Sequence, residues 1–278
     1  MFISPRNLGK LWLLGLTVAT ALIVGATVGC QGSHNQETSS SCPGSPIEPI
    51  SAPQNDVEEL ALDVSISTKS ASLRAAYEAA ALASVNQIAS KKGALRIIAF
   101  GASGVGAKVV FEGSFAPVSD DDVYNQAAQN RASCWAKEAI AQALATRTAP
   151  RDSGTDVAGA TASLITDVRS LVGPGGTTSV AVFTDGCQAP APSGPNHNLT
   201  DLCQLLVSGE SPARILGAHE VEFSLGDARG VTITMKGIGV GHNQNGASTT
   251  FARKLVELWV TACHRANART CEIGSAVS

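Results

Sequence analysis

The residues best suited to chemistry in this chain are acids and hydroxyls, gathered in three short stretches. Asp63, Ser65 and Ser67 alternate in "DVSIS", Thr155 sits in "SGTD", and Asp185 sits in "VFTDG". Asp63 follows the apolar run Leu60–Leu62 and Asp185 follows Val180–Phe183, so each carboxylate ends a strand-like stretch. A carboxylate removed from water without a partner is strongly disfavoured, and such an acid needs solvent, a donor or a cation. Alternate side chains of a strand point the same way, so the D-x-S-x-S spacing turns three oxygen donors in one direction. Two carboxylates and three hydroxyls form an oxygen-only set suited to a hard divalent cation. Mg²⁺ is the first choice, with Mn²⁺ and Ca²⁺ as alternatives. For any one stretch alone, a polar strand end without a ligand is an equally good explanation.

The elements that must hold these residues alternate along the chain. Glu59–Val64 reads as a short apolar strand, and Ala71–Ser90 as an Ala-rich helix with a stop at Gly93. Leu95–Phe100 and Lys108–Phe111 read as strands joined by a Gly-rich turn, hence a hairpin. Ser119 stands where it can cap a long helix through "DDDVYNQAAQNRASCWAKEAIAQALATR", with Asp120–Asp122 in its first turn. A second helix, "VAGATASLITDVRSL", follows "SGTD" and stops at Gly173-Pro174-Gly175-Gly176. Asp156 reads as the acid that answers that helix's dipole. "TTSVAVF" is a strand, Leu199–Val207 a helix, Val231–Met235 a strand and Ala252–Ala266 the last helix.

Strands that are apolar on both faces and alternate with helices predict a three-layer, doubly wound, Rossmann-like α/β domain. Its sheet is mostly parallel, with one antiparallel edge strand. Ligands of such sheets sit beyond the carboxyl ends of the strands, where strand order reverses. Asp63 and Asp185 are expected there.

Other chemistries fit less well. "GASGVGAK" lacks a Lys directly after its last Gly and runs into a strand, so it reads as a hairpin turn rather than a phosphate loop. The glycines of "GIGVGHNQNG" do not match a dinucleotide fingerprint, and this segment reads as a loop near the metal face. His34, His197, His219, His242 and His264 are scattered, with none at ligand spacing, and read as surface residues. Ser65 as a hydrolase nucleophile would need a base and an oxyanion hole, and no G-x-S-x-G or nominated His supplies them. No catalytic residue is assigned.

The three motifs together, in this order along an α/β chain, resemble the von Willebrand factor type A (VWA) domain, over about Asp56 to Ile273. That resemblance implies a metal-ion-dependent adhesion site (MIDAS) formed by Asp63, Ser65, Ser67, Thr155 and Asp185, some directly and some through water. It also implies an open coordination position that accepts an Asp or Glu carboxylate of a protein partner, and hence a binding module rather than an enzyme. The loops around the site, including that after Cys187, do not carry a partner's identity over. Two rivals stand beside it: an accessory envelope lipoprotein with a silent metal site, and a hydrolase.

Residues 1–29 have a basic start, an apolar run from Leu11 to Val28 and small residues before Cys30, which is secretory-signal architecture. "TVGC" resembles a bacterial lipobox, with Thr27 where a large aliphatic residue is usual, and implies lipidation of Cys30. An uncleaved signal anchor is the alternative. Residues 30–55, rich in Ser, Pro and Gly, read as a tether, and 56–278 as the folded domain. The protein is thus expected on the extracytoplasmic side of the cell membrane, held by a lipid. Six cysteines remain after Cys30, which implies three disulfides in an oxidising compartment. Fifteen pairings are open; proximity in sequence favours Cys187–Cys203 and Cys263–Cys271, leaving Cys42–Cys134. The net charge of −3 in 278 residues gives no reason to expect nucleic acid or an anionic membrane surface as partner.

Overall fold

A computed structural model describes residues 42–43, 50, 53–101, 107–145, 154–190, 198–240 and 249–277, all within one compact unit, Ser40–Ser278. The leader, Cys30 and most of the tether lie outside the described residues. No described helix is long and apolar enough to cross a membrane.

Six strands form one sheet: β1 (Gln54–Asp63), β2 (Ala94–Phe100), β3 (Lys108–Ser114), β4 (Val172–Phe183), β5 (Val231–Lys236) and β6 (Thr270–Gly274). Their order is β3-β2-β1-β4-β5-β6. Only β2 and β3 pair antiparallel; the other neighbours are parallel. This is the predicted mostly parallel sheet with one antiparallel edge strand. Strand order reverses between β1 and β4, with Leu62 opposite Phe183 in register. Asp63 and Asp185 therefore leave the sheet at the same switch point.

The helices are α1 (Ala71–Ser90), α2 (Asp122–Ala145), α3 (Val157–Leu171), α4 (Leu202–Val207), α5 (Pro212–Ala218) and α6 (Thr249–Arg265). Alternation along β1 divides the core in two. Leu60 and Leu62 join Tyr77, Val85, Ile140 and Phe183 on the side of α1 and α2. Val57 and Ala61 join Leu164, Val168, Leu255 and Trp259 on the side of α3 and α6. Helices cover both faces, as expected. On the α1 side, however, Ser179, Thr232, Thr234 and Thr270 face a polar trough of about 420 Å³, which explains why β5 alternates between buried and half-buried residues.

Several boundaries differ from expectation. β1 begins at Gln54, pairing with Val172, and Asp56 pairs with Thr177, so the Gly-Pro-Gly-Gly stretch lies inside β4 as an irregularity between those two pairings. Gly176 permits this: a Cβ there would lie 2.4 Å from Asn55 O. The cap of α2 is Asp121, whose Oδ1 accepts Val123 N–H at 2.8 Å, while Ser119 Oγ accepts Asp121 N–H one step earlier. α5 and β6 were not anticipated. The three disulfides join Cys42–Cys134, Cys187–Cys203 and Cys263–Cys271, the pairing that sequence proximity favours.

Candidate metal centre

Asp63 is the last residue of β1 and is fully buried. Its Oδ1 accepts Ser65 N–H at 2.9 Å, which curls the chain away from the strand, and its Oδ2 accepts Thr184 Oγ1–H at 2.7 Å. A short 3₁₀ turn, Ile66–Thr68, follows. Thr68 Oγ1–H is shared between the carbonyls of Asp63 and Ser65, at 2.8 and 2.9 Å. That turn sets Ser65 Oγ 3.0 Å from Ser67 Oγ, so the two hydroxyls act as neighbours. Ser70 then caps α1 through Leu73 N–H.

Asp185, also fully buried, lies two residues beyond β4, and its Oδ1 accepts Cys187 N–H at 2.9 Å. Gly239 N–H donates to its carbonyl at 2.7 Å, so the Gly-rich segment after β5 does approach this face. Gly186 has φ +79°, and a Cβ there would stand 2.9 Å from Ile238 Cδ1. Thr155 is buried and exchanges two backbone hydrogen bonds of 2.9 Å with Ala189, which ties it to the segment after Asp185. Asp156 caps α3 by accepting Gly159 N–H at 2.7 Å, as its position suggested.

The electrostatics match a cation site. Burial first, and the Asp185 carboxylate second, push the Asp63 carboxyl well above the ordinary carboxylate range; hydrogen bonds from Ser65 and Thr184 oppose this only in part. Like charges held together out of water favour a cation between them. Tyr77 Oη, buried on α1, has no hydrogen-bond partner, and after burial the Asp63 and Asp185 charges hold its phenol in the protonated form. Two carboxylates and clustered hydroxyls form a donor set that fits a hard cation with bound water. Among the described residues no three His, Cys, Asp or Glu side chains converge, so a cation here would depend on hydroxyls and water for its remaining ligands.

Sequence reasoning missed several contributors. Thr184 lies within the quoted "VFTDG" yet was given no role. Tyr77, Gln188 and Trp259 carry no local signal; only the fold brings them near the centre. His219 is not a free surface residue: its Nδ1 lies 3.1 Å from Thr200 Oγ1 and 3.5 Å from Glu222 Oε2. His264 Nδ1 lies 3.8 Å from Cys271 Sγ, while His34, His197 and His242 lie outside the described residues.

The mixed six-stranded sheet and its helices define a doubly wound, mostly parallel α/β protein with two acids at its switch point. No family model matches the chain, and no curated protein matches it. Among solved structures it is similar to the pilus adhesin SpaC from Lactobacillus rhamnosus GG, at 15% identity and a TM-score of 0.44, over 77% of this chain and 27% of that one. It is similar to a von Willebrand factor type A from Catenulispora acidiphila at 16% identity and a TM-score of 0.37, over 67% and 33% of the two chains. Proximal thread matrix protein 1 from the mussel byssus, with a zinc-occupied MIDAS motif, gives 16% identity and a TM-score of 0.35, over 76% and 47%. The chain thus spans less than half the length of each. Likeness at this level carries no conclusion about function.

Proposed function

We propose that this chain is a VWA-type binding protein in which Asp63, Ser65, Ser67, Thr155 and Asp185 hold a divalent cation, Mg²⁺ first, and through it an Asp or Glu carboxylate of a protein partner. The observation that carries the reading is the burial of Asp63 and Asp185 together at the β1–β4 switch point, among hydrogen-bond donors and beside the Ser65–Ser67 hydroxyl pair. The cation would supply Lewis acidity toward one further anionic ligand. The chain's own residues do the positioning. Thr184 and Ser65 orient the Asp63 oxygens, Cys187 N–H orients Asp185, and the 3₁₀ turn keeps the serine hydroxyls together. None of these groups is arranged as a nucleophile with a general base, which favours binding over turnover.

The same proposal places the protein outside the cytoplasmic membrane, anchored by lipid on Cys30 and standing off through the chain before Cys42, where the Cys42–Cys134 bond joins it to the folded part. Three disulfides agree with an oxidising compartment. The test is capture of protein partners by the full chain, with Mg²⁺ and with EDTA. Capture lost in EDTA, and lost with Asp63→Asn in Mg²⁺, is expected. Capture that ignores both treatments would leave the accessory envelope role as the better account.

A further inference from the structure

From Asp185 to Thr155 the connection runs through Gly186–Ala189, and each residue of that stretch is held by a contact from outside it. Trp259 Nε1–H of α6 donates to Gly186 O at 2.9 Å. Cys187 is bonded to Cys203 of α4, and Ala189 pairs with Thr155. Gln188 is the junction. Its side chain is fully buried; Oε1 accepts Ala158 N–H in the first turn of α3, and Nε2–H donates to Glu222 Oε1, both at 3.1 Å. Its carbonyl accepts Leu202 N–H at 3.0 Å.

Glu222 lies in the turn after α5, with its side chain 20% exposed. Its carboxylate also accepts Thr200 N–H, and Thr200 Oγ1–H at 2.7 Å. A buried amide satisfied at both ends holds its two partners at a set distance, and removing one end leaves an unpaired polar group inside the protein.

We propose that Glu222 is a positioning residue of the metal centre, acting through Gln188 to set the placement of Thr155 relative to Asp185. This rests on the metal-binding reading given above. The path is short: Gln188 is three residues beyond Asp185, and the N–H it binds belongs to Ala158, three residues beyond Thr155. Without the Glu222 acceptor, the Gln188 amide turns toward another partner and lets go of α3. Groups that hydrogen-bond a metal ligand directly typically change metal affinity by about 10- to 100-fold; Glu222 acts from further out, which sets the expected effect at or below the lower end of that range.

Mn²⁺ titrated into the full chain, followed by the EPR signal of the free ion, tests this. Glu222→Ala should weaken Mn²⁺ binding by up to about tenfold. Gln188→Ala should do the same, and the double variant should lose no more than either single one. Glu222→Gln keeps an oxygen for Gln188 Nε2–H and should recover most of the affinity, which also guards against a poorly folded alanine variant. Wild-type Mn²⁺ affinity in the Glu222 and Gln188 variants, even with a lowered melting temperature, overturns the positioning role. A wild-type chain that binds no Mn²⁺, or binds it equally after Asp63→Asn and Asp185→Asn, overturns the metal centre itself and the positioning role with it.

Discussion

Thr184 Oγ1 donates to Asp63 Oδ2 across 2.7 Å and accepts Gly186 N–H at 3.0 Å. One hydroxyl thus orients the first carboxylate and the turn that carries the second. Thr184→Val keeps the shape and removes both bonds, leaving a buried N–H and a buried carboxylate oxygen each short of a partner. Stability should fall by about 1–3 kcal/mol, with Thr184→Ser close to wild type. Urea midpoints measure it.

Mg²⁺ should stabilise the fold, because it relieves two buried acids whose charges oppose each other. At about a hundred times its dissociation constant a ligand adds ~2.7 kcal/mol. Melting temperature should rise with Mg²⁺ and return with EDTA. Asp63→Asn or Asp185→Asn should abolish the rise while the metal-free chain stays folded, since an amide ends the repulsion. A wild-type melting temperature indifferent to Mg²⁺ and EDTA contradicts the centre.

Gly186 cannot be replaced without loss. Its φ of +79° is disfavoured for a side chain, and a Cβ would meet Ile238 Cδ1 at 2.9 Å and Trp259 Nε1 at 3.1 Å. Gly186→Ala should cost about 1–3 kcal/mol and disturb the Trp259 hydrogen bond to Gly186 O. Thermal melts and tryptophan emission report the two effects.

Glu59 should make stability depend on pH through a second acidic group, away from the metal centre. It is fully buried in β1, and neither oxygen has a hydrogen-bond partner. The guanidinium of Arg96 (β2) lies 3.5 Å away but is shared with Glu112 (β3) and with Asp167 (α3), its closest partner at 3.1 Å. Burial outweighs Arg96 and lifts the Glu59 carboxyl from 4.5 to about 8. The folded state therefore holds this proton where the unfolded chain has lost it. The contribution is fully present below 4.5 and is lost as pH rises toward about 8. Urea midpoints should fall across that window in wild type, and the fall should be smaller in Glu59→Gln.

The parts of the fold that announced themselves are those where local pattern and tertiary role agree. α1 and α3 match expectation residue for residue, because their caps and apolar spacing carry the signal. Asp63 and Asp185 were legible because an acid after an apolar strand is costly without a reason. The glycine-rich start of β4 was only partly legible: Gly-Pro-Gly-Gly breaks the local pattern, and it does interrupt the pairing, but the strand runs on through it with Gly176 packed against Asn55 O. α5 had a readable start in Ser211 and Pro212, but it is only seven residues long. Glu222 and Gln188 were illegible in principle: they lie 34 positions apart, and nothing local marks either.

Under the proposed lipid anchoring at Cys30, the Cys42–Cys134 bond has a mechanical consequence. Tension arriving along the chain before Cys42 passes covalently into α2 at Cys134. The stretch between Cys42 and Gln54 is bypassed, and β1 is not the first element to be pulled. β1 lies between β2 and β4 and ends in Asp63, so load on the tether is diverted from the strand that would otherwise peel from its neighbours and take half of the carboxylate pair with it.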